Sequence, residues 1–181
     1  MTVMSGEVYI ARPLAEVYDL YTDARLTAEH SSGRTEVSFT NVVEDGPGTQ
    51  AVWMFIYPEL KTEMIETVVE VDRPHRIASH LQITRVLPLA SHEVTPGVMP
   101  ALAYDMRDDY SPLFGKLPAE GVQETSFTPD GDGTLLRVTT QMSLGGWSRI
   151  SGWFMSRAKR SPLQEQLEAF RDRLEATRGT D

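Results

Sequence analysis

Residues 34 to 144 contain six runs in which apolar and polar side chains alternate with a period of two, the period of a β-strand. Glycine and proline separate consecutive runs, as in Asp45–Gly48 and at Pro58 and Pro74, and such residues are typical of turns in an antiparallel meander. The series therefore predicts one antiparallel sheet. The six predicted strands are Arg34–Val43, Gln50–Tyr57, Thr62–Asp72, Arg76–Leu87, Val122–Thr128 and Thr134–Leu144.

The last two of these strands are joined by Pro129–Gly133, whose composition is that of a hairpin turn. From Asp130 the segment also begins like a calcium-binding loop, but Gln141 stands where the twelfth position requires a glutamate. We therefore interpret the segment as a turn, and we predict no metal site.

Helical periodicity flanks the strand series on both sides. A first strand over Val3–Ala11 is followed by a helix over Leu14–Tyr21, which Pro13 can begin because the first helical position tolerates its missing N–H. Asp23 then interrupts this helix and can cap a second short helix that ends at about Glu29.

The last third of the chain, Trp147–Arg178, is helical in period, but its apolar face changes direction near Pro162. Two interpretations remain open. The helix breaks or kinks at Pro162 and each half buries its own face, or the axis continues and the inward face includes Trp153, Ser156 and Arg160. In both cases the second half buries the same residues, Leu163, Leu167, Phe170 and Leu174.

The roughly 30 residues from Pro88 to Pro118 show little periodicity and hold five of the 11 prolines. A connection of this length without secondary structure is uncommon and is usually a lid, a binding loop or a disordered segment. Because the strands on either side belong to one meander, we predict a single domain over residues 1–181 with a lid-like insertion at about 88–118.

The charge balance excludes several classes of partner. Lys and Arg number 17 against 26 Asp and Glu, which gives a formal net charge of −9. Phosphate binding needs clustered basic residues, so nucleic acid and an anionic membrane are not expected partners. No window approaches the ~20 apolar residues of a membrane span, and a cytoplasmic location is expected. The absence of cysteine excludes disulfides and cysteine nucleophiles.

The order of strand, two short helices, six strands and long helix resembles the START/Bet v 1-like superfamily, also called SRPBCC. Several local sequences are similar to that family's sequence motifs. They are Val8–Asp19 (opening strand and first helix, "aP.e.Vw"), Tyr21–Ala24 ("lTDp"), Gly46–Thr49 (a turn before the third strand), Val69–Ile77 ("v.e.dpPrri") and Glu124–Thr134 ("t..f.p..gGT"). The resemblance covers nearly the whole chain except Pro88–Pro118.

This resemblance implies an α+β helix-grip fold, in which a curved antiparallel sheet of about seven strands wraps around a long C-terminal helix. Two short helices follow the first strand, and a deep cavity lies between sheet and helix. The polyketide cyclase/dehydratase branch is the most similar one. The Hsp90-ATPase-activator-like branch shares the wording of the opening helix and implies an interaction module instead.

No sequence signature of a serine hydrolase, a zinc protease or a nucleotide-binding loop is present. The candidates are therefore side chains on strands that face the implied cavity. Alternation in the last strand places Thr140 and Met142 inside, and in the strand before it an inward Phe127 brings Gln123 and Thr125 to the same face. We expect these four polar or flexible side chains to contact a ligand.

The strand Gln50–Tyr57 is apolar on both faces, so its alternation does not decide which face is inside. If the aromatic face points inward, Trp53 and Phe55 contact the ligand and Tyr57 can transfer a proton. The opposite face consists of Val52, Met54 and Ile56.

The resemblance places the first half of the C-terminal helix at the cavity mouth, where Trp153 and Ser156 would contact the ligand. Arg157 and Arg160 could hold a carboxylate or an enolate oxygen there, or could form surface ion pairs.

His30 is a candidate general acid or base, since histidine titrates near neutral pH; the alternative is an exposed histidine at a helix end. Tyr104 and Tyr110, in the insertion, either close over a ligand or only anchor that segment.

Three functions fit these observations. The first is an enzyme that bends a reactive polyketone and assists its cyclisation or dehydration, with His30, Tyr57 and Arg160 as catalytic residues. The second is a carrier of an apolar small molecule, and the third is the interaction module, which predicts a filled core. No cofactor is expected, and the protein is expected to be a monomer or a homodimer.

Overall fold

The computed structural model describes residues 1–30, 34–43, 46–56, 60–88, 110–111, 115–143 and 162–176. Three helices and nine strands occupy this part of the chain. The helices are α1 (Leu14–Thr22), α2 (Ala24–His30) and α3 (Pro162–Ala176). The strands are β1 (Thr2–Ile10), β2 (Arg34–Asn41), β3 (Gln50–Ile56), β4 (Leu60–Asp72), β5 (Arg76–Pro88), β6 (Tyr110–Ser111), β7 (Gly115–Lys116), β8 (Ala119–Asp130) and β9 (Gly133–Met142).

Seven of the strands form one antiparallel sheet in the order β1-β9-β8-β5-β4-β3-β2, and β6 pairs with β7 separately. The predicted meander is confirmed, because the long strands β2, β3, β4, β5, β8 and β9 are neighbours in the sheet in the order in which they follow one another in the chain. The first strand, β1, pairs with the last, β9. Helix α3 packs against the sheet, and α1 and α2 follow β1. The molecule therefore has the α+β helix-grip fold that the family resemblance implies.

The β8–β9 connection is the predicted hairpin. Asp130 pairs with Gly133 across a loop of two residues, and Gly131 has a φ of +60°. Two-residue hairpin loops require a positive φ at their first position, which glycine adopts without a Cβ clash. The side chain of Asp132 accepts a hydrogen bond of 2.8 Å from the Tyr9 hydroxyl, which ties the loop to β1.

Strand β2 ends at Asn41, two residues before the predicted end, and this difference has a local cause. The hydroxyl of Thr49 accepts a hydrogen bond from the Val43 backbone N–H at 3.1 Å and donates one to the Val43 carbonyl at 2.9 Å. Both backbone groups of Val43 therefore bond to this hydroxyl instead of to a strand partner.

The start of α2 is set by Asp23, as predicted. Its Oδ1 accepts hydrogen bonds from the backbone N–H groups of Arg25 (3.0 Å) and Leu26 (3.3 Å). These donors have no partner within the helix, so the cap satisfies them and stabilises the helix by about 1 kcal/mol.

The predicted apolar face of α3 closes the core. Leu167, Phe170 and Leu174 are at most 4% exposed, and Leu163 is partly buried beside them. Each fully buried side chain of this kind contributes roughly 1.5–3 kcal/mol. The sheet side of this core consists of Val8, Ile10, Phe127, Leu136 and Val138. Residues 144–161 lie outside the described residues, so the structure does not decide between a kink at Pro162 and a continuous helix axis.

Helix α3 crosses β1 at Gly6, where the two backbones approach closely. A Cβ atom at Gly6 would lie 3.1 Å from Leu167 Cδ1 and 3.2 Å from Gln164 Cα. Next to this crossing the Gln164 amide accepts from the Glu7 backbone N–H (3.0 Å) and donates to the Glu7 carbonyl (2.9 Å). Because β1 is an edge strand, these groups have no strand partner on that side, and Gln164 supplies one.

In the part of the chain that the structure describes, no helix has the length and apolar character needed to cross a membrane.

Candidate functional site

Between the inner face of the sheet and the helices lies a cavity of about 210 Å³. Strands β2 to β5 and β8 form one wall, and residues of all three helices form the other. The cavity exists because α3 crosses the sheet at the β1 edge, while the strands toward β2 curve around the space that is left. It is the candidate binding site.

Strand β3 turns its aromatic face toward this cavity. Trp53 and Phe55 line it and stack on each other, with ring centroids 6.2 Å apart and planes inclined by 13°. Leu167 and Phe170 of α3 line the opposite wall. The alternation in the sequence did not decide which face of β3 points inward. In the structure the packing of the sheet decides it.

A carboxyl group, that of Glu66 on β4, stands in this largely apolar wall. The indole Nε1–H of Trp53 donates a hydrogen bond of 2.8 Å to Glu66 Oε2. The Ser79 side chain of β5 lies beside the carboxyl group and lowers its pKa. Trp53 and Ser79 belong to the strands on either side of β4, and in this register they are the diagonal neighbours of Glu66.

Burial raises the pKa of Glu66 above its ordinary value of 4.5. The hydrogen bonds from Ser79 and Trp53 act in the opposite direction, since they favour the ionised form, but burial is the larger effect. The carboxyl group therefore keeps its proton to a higher pH than an exposed glutamate does.

A second acidic group, the phenol of Tyr21 on α1, lines the same cavity. Burial raises the pKa of Tyr21 to about 12; a hydrogen bond with Thr125 lowers it in part, and the nearby Glu66 carboxyl raises it. The Tyr21 ring is held edge-on against Phe170 and Phe127, at centroid distances of 5.6 Å in both cases. The phenol is therefore a fixed, neutral O–H group at the cavity wall.

Among the described residues that line the cavity, none is a lysine, an arginine or a histidine. Glu66 and Tyr21 are the titratable groups among these described lining residues, and burial raises the pKa of each. Within the same described part of the chain, no three His, Asp or Glu side chains lie close enough together to hold a metal ion. The described part of the lining is thus largely apolar, with a few hydrogen-bonding groups.

The cavity brings together four of the residues selected from the sequence, namely Trp53, Phe55, Gln123 and Thr125. Thr140 is buried beside them, and its hydroxyl donates a hydrogen bond of 3.2 Å to Gln123 Oε1. Thr140 therefore contacts the cavity lining through Gln123.

Met142 lies elsewhere. It is 4% exposed and belongs to a second apolar cluster with Leu81, Ile83, Val86, Leu117 and Ala119. Its side chain covers Gly121, where a Cβ atom would lie 2.2 Å from the methionine sulfur. The structure thus places Met142 in core packing.

The other selected positions fall outside what the structure describes. His30 ends α2 and Tyr110 begins β6, but only their backbone is described. The remaining positions lie outside the described residues altogether; they are Tyr57, Tyr104, Trp153, Ser156, Arg157 and Arg160.

Glu66, Ser79 and Tyr21 are among the lining residues that the sequence reasoning missed. Glu66 did carry a signal, since Met64 and Val68 stand two residues before and after it. A single carboxyl in an apolar row of a strand indicates an inward acidic group. Tyr21 fitted the apolar face of a helix and gave no sign of a polar role.

No protein-family model matches the chain, and no curated protein matches it. Solved structures match over nearly its whole length. The protein TTHA0849 from Thermus thermophilus is 18% identical, with a TM-score of 0.61 over 97% of this chain and 98% of that one. Protein Ms6760 from Mycobacterium smegmatis is 12% identical (TM-score 0.60, 97% and 92%). Ara h 8.0201 is 10% identical (TM-score 0.57, 96% and 97%). At such identities the similarity establishes the fold alone.

Proposed function

We propose that this protein binds a small apolar molecule in the cavity between the sheet and α3. The observation that carries the proposal is the composition of the cavity wall, in which aromatic and aliphatic side chains surround a few fixed polar groups, among them Glu66 and Tyr21. Small-molecule sites are typically concave and apolar, with a small number of placed polar groups that fix orientation.

The cavity volume can be compared with that of known apolar cavities. Engineered apolar cavities of about 150 Å³ hold benzene. The present cavity of about 210 Å³ is larger, so a ligand of one or two rings fits the described space. The stacked pair of Trp53 and Phe55 offers a flat surface for such rings.

Native mass spectrometry of the purified protein tests the proposal, followed by denaturing extraction and mass analysis of what is released. We expect a co-purified apolar compound, or saturable binding of members of a polyaromatic and fatty ligand panel to an emptied protein. A protein that is empty and binds no member of the panel would contradict the proposal.

A matched pair of variants ties binding to the cavity. Val68 lines the cavity, whereas its neighbour Val69 is 51% exposed. Val68→Phe fills part of the cavity and should weaken binding at least tenfold, while Val69→Phe adds the same ring outside and should leave it unchanged. Equal affinities of the two variants would place the ligand elsewhere.

As a second function we propose that the protein itself converts the bound molecule, as a cyclase or dehydratase of polyketide-like substrates. The observation that favours chemistry is the presence of two groups able to transfer protons, Glu66 and Tyr21, in one apolar space. A bent polyketone held there would be protected from water, and cyclisation needs only removal of a proton between two carbonyls and its return to the new alkoxide.

The residues selected from the sequence keep their proposed roles in this reaction. His30 and Tyr57 would transfer protons, and Arg160 would stabilise an enolate. Incubation of the protein with a soluble 1,3,5-triketone, followed by liquid chromatography and mass analysis, should reveal a cyclised product. Wild-type rates in both His30→Ala and Arg160→Ala would exclude their roles, and recovery of unchanged triketone would favour a carrier.

The interaction-module hypothesis predicts a filled core, and the cavity counts against it. We therefore rank ligand binding with or without chemistry above it.

A further inference from the structure

The carboxyl group of Glu66 is held in the cavity wall as a hydrogen-bond acceptor. The indole N–H of Trp53 can only donate, and it lies 2.8 Å from Glu66 Oε2. A carboxylate has about four acceptor positions on its two oxygens, so this bond leaves acceptor capacity unused. Glu66 is half-buried and lines the cavity, and a molecule bound there therefore lies next to it.

The described surroundings of Glu66 supply no positive charge. No lysine, arginine or histidine stands among the lining residues that the structure describes, and none of the salt bridges within the described ranges involves Glu66. Trp53 and Ser79 both act to lower the pKa of Glu66, whereas burial raises it. Hydrogen bonds alone compensate a carboxylate in an apolar space only in part, and what is missing is a cation.

Aromatic rings line the same cavity as this carboxyl group. They belong to Tyr21, Trp53, Phe55 and Phe170. The face of an aromatic ring carries negative electrostatic potential and attracts cations. Rings of this kind, grouped around a site, are the usual surroundings of organic ammonium ions in proteins.

We propose that the ligand of this cavity carries one amino group, which binds as an ammonium ion against Glu66, on a ring body that fills the apolar remainder of the space. This inference rests on the proposed binding function of the cavity. The ammonium group donates a charge-assisted hydrogen bond to the carboxyl group, and its charge in turn favours the carboxylate form. The formal net charge of −9 also favours the approach of a cation.

Other ligand classes satisfy the site less well. A carboxylate or phosphate would place a second negative charge beside an acid, and no described lining residue would neutralise it. A hydrocarbon would leave Glu66 without a cation. A neutral alcohol can donate a hydrogen bond without bringing a charge, and it is therefore the alternative that the experiment must separate.

Three probes with one ring skeleton make this separation: indane, 2-indanol and 2-aminoindane. Their dissociation constants are measured with the full chain by NMR titration at about pH 8, where an alkylamine keeps its proton. We expect 2-aminoindane to bind roughly 5- to 12-fold more tightly than 2-indanol, the difference between a charge-assisted and a neutral hydrogen bond. Indane has no polar group and reports on binding of the ring body alone.

Variants assign the effect to Glu66. Glu66→Gln keeps the shape of the side chain and an acceptor for the indole N–H but removes the charge. It should weaken binding of 2-aminoindane by roughly 12-fold or more and leave binding of indane unchanged. Glu70→Gln is the matched control, since it removes one negative charge from an exposed residue of the same strand that pairs with Arg76. It should retain the preference for 2-aminoindane.

Each failure has a distinct meaning. In the wild-type protein, 2-indanol binding as tightly as 2-aminoindane would overturn the inference and leave the binding proposal intact, and this comparison needs no variant to fold. A preference for 2-aminoindane that survives in Glu66→Gln would overturn the assignment to Glu66. Binding of none of the three probes would contradict the binding proposal itself.

Discussion

Replacing Trp53 by phenylalanine tests whether the indole N–H supports the Glu66 carboxyl group. The substitution keeps an aromatic ring beside Phe55 and deletes the donor that lies 2.8 Å from Glu66 Oε2. A hydrogen bond contributes about 0.5–1.5 kcal/mol between neutral groups and about 1.5–3 kcal/mol when one partner is charged. The loss should therefore depend on whether Glu66 carries its proton.

How the stability loss caused by Trp53→Phe changes with pH follows from the raised pKa of Glu66. Below the ordinary value of 4.5 the carboxyl group is protonated in both the folded and the unfolded state, so Trp53→Phe deletes a neutral hydrogen bond. Well above the raised pKa the folded state contains a carboxylate, and the same substitution deletes the stronger bond. At the higher pH the loss corresponds to a melting temperature lower by roughly 3–12 °C.

The assay is urea unfolding of the wild type, Trp53→Phe, Glu66→Met and the double variant, at about pH 4 and about pH 9. The double-mutant cycle removes the packing loss caused by the smaller ring. We expect a coupling free energy of about 0.5–1.5 kcal/mol at the lower pH and about 1.5–3 kcal/mol at the higher. A coupling free energy near zero at both pH values would refute the hydrogen bond from the indole N–H to Glu66. Equal, non-zero coupling at the two pH values would refute ionisation of Glu66 in the folded state.

Three further outcomes follow from the structure. The folded state holds the Glu66 proton above pH 4.5, whereas the unfolded state releases it there. The wild-type free energy of unfolding should therefore fall as the pH rises from 4.5 through the raised pKa. In urea titrations Glu66→Gln should lose this dependence, and Glu70→Gln should keep it. Phe127→Ala deletes a ring that is 2% exposed and should cost about 3–5 kcal/mol by calorimetry, whereas Val122→Ala, on the outer face of the same strand, should stay within about 0.5 kcal/mol. Gly6→Val should lower stability by roughly 1–3 kcal/mol in chemical unfolding, since its side chain meets the backbone of α3; an unchanged midpoint would mean that the helix does not dock there.

Much of the fold could be predicted because its signals are local. The alternation of β4 and β5, the cap at Asp23 and the glycine at position 131 each depend on residues close together in the chain. The apolar row of α3 also follows from helical period alone. Such patterns specify which element forms and which of its faces is buried.

The candidate site was predicted only in part. Alternation anchored on Phe127 assigned Gln123 and Thr125 to the inner face, and both line the cavity. The same alternation could not separate cavity from core, so Met142, which is equally inward, packs in a cluster away from the cavity.

By itself, the sequence determined the order of the elements, their turns and caps, and the apolar faces of most of them. Only the tertiary structure decided that β3 turns Trp53 inward and that Glu66 stands between Trp53 and Ser79. The physical reason is that these contacts depend on the register between strands and on where α3 crosses β1 at Gly6. A strand with apolar residues on both faces, such as β3, has no local preference between them, and packing across the sheet makes the choice.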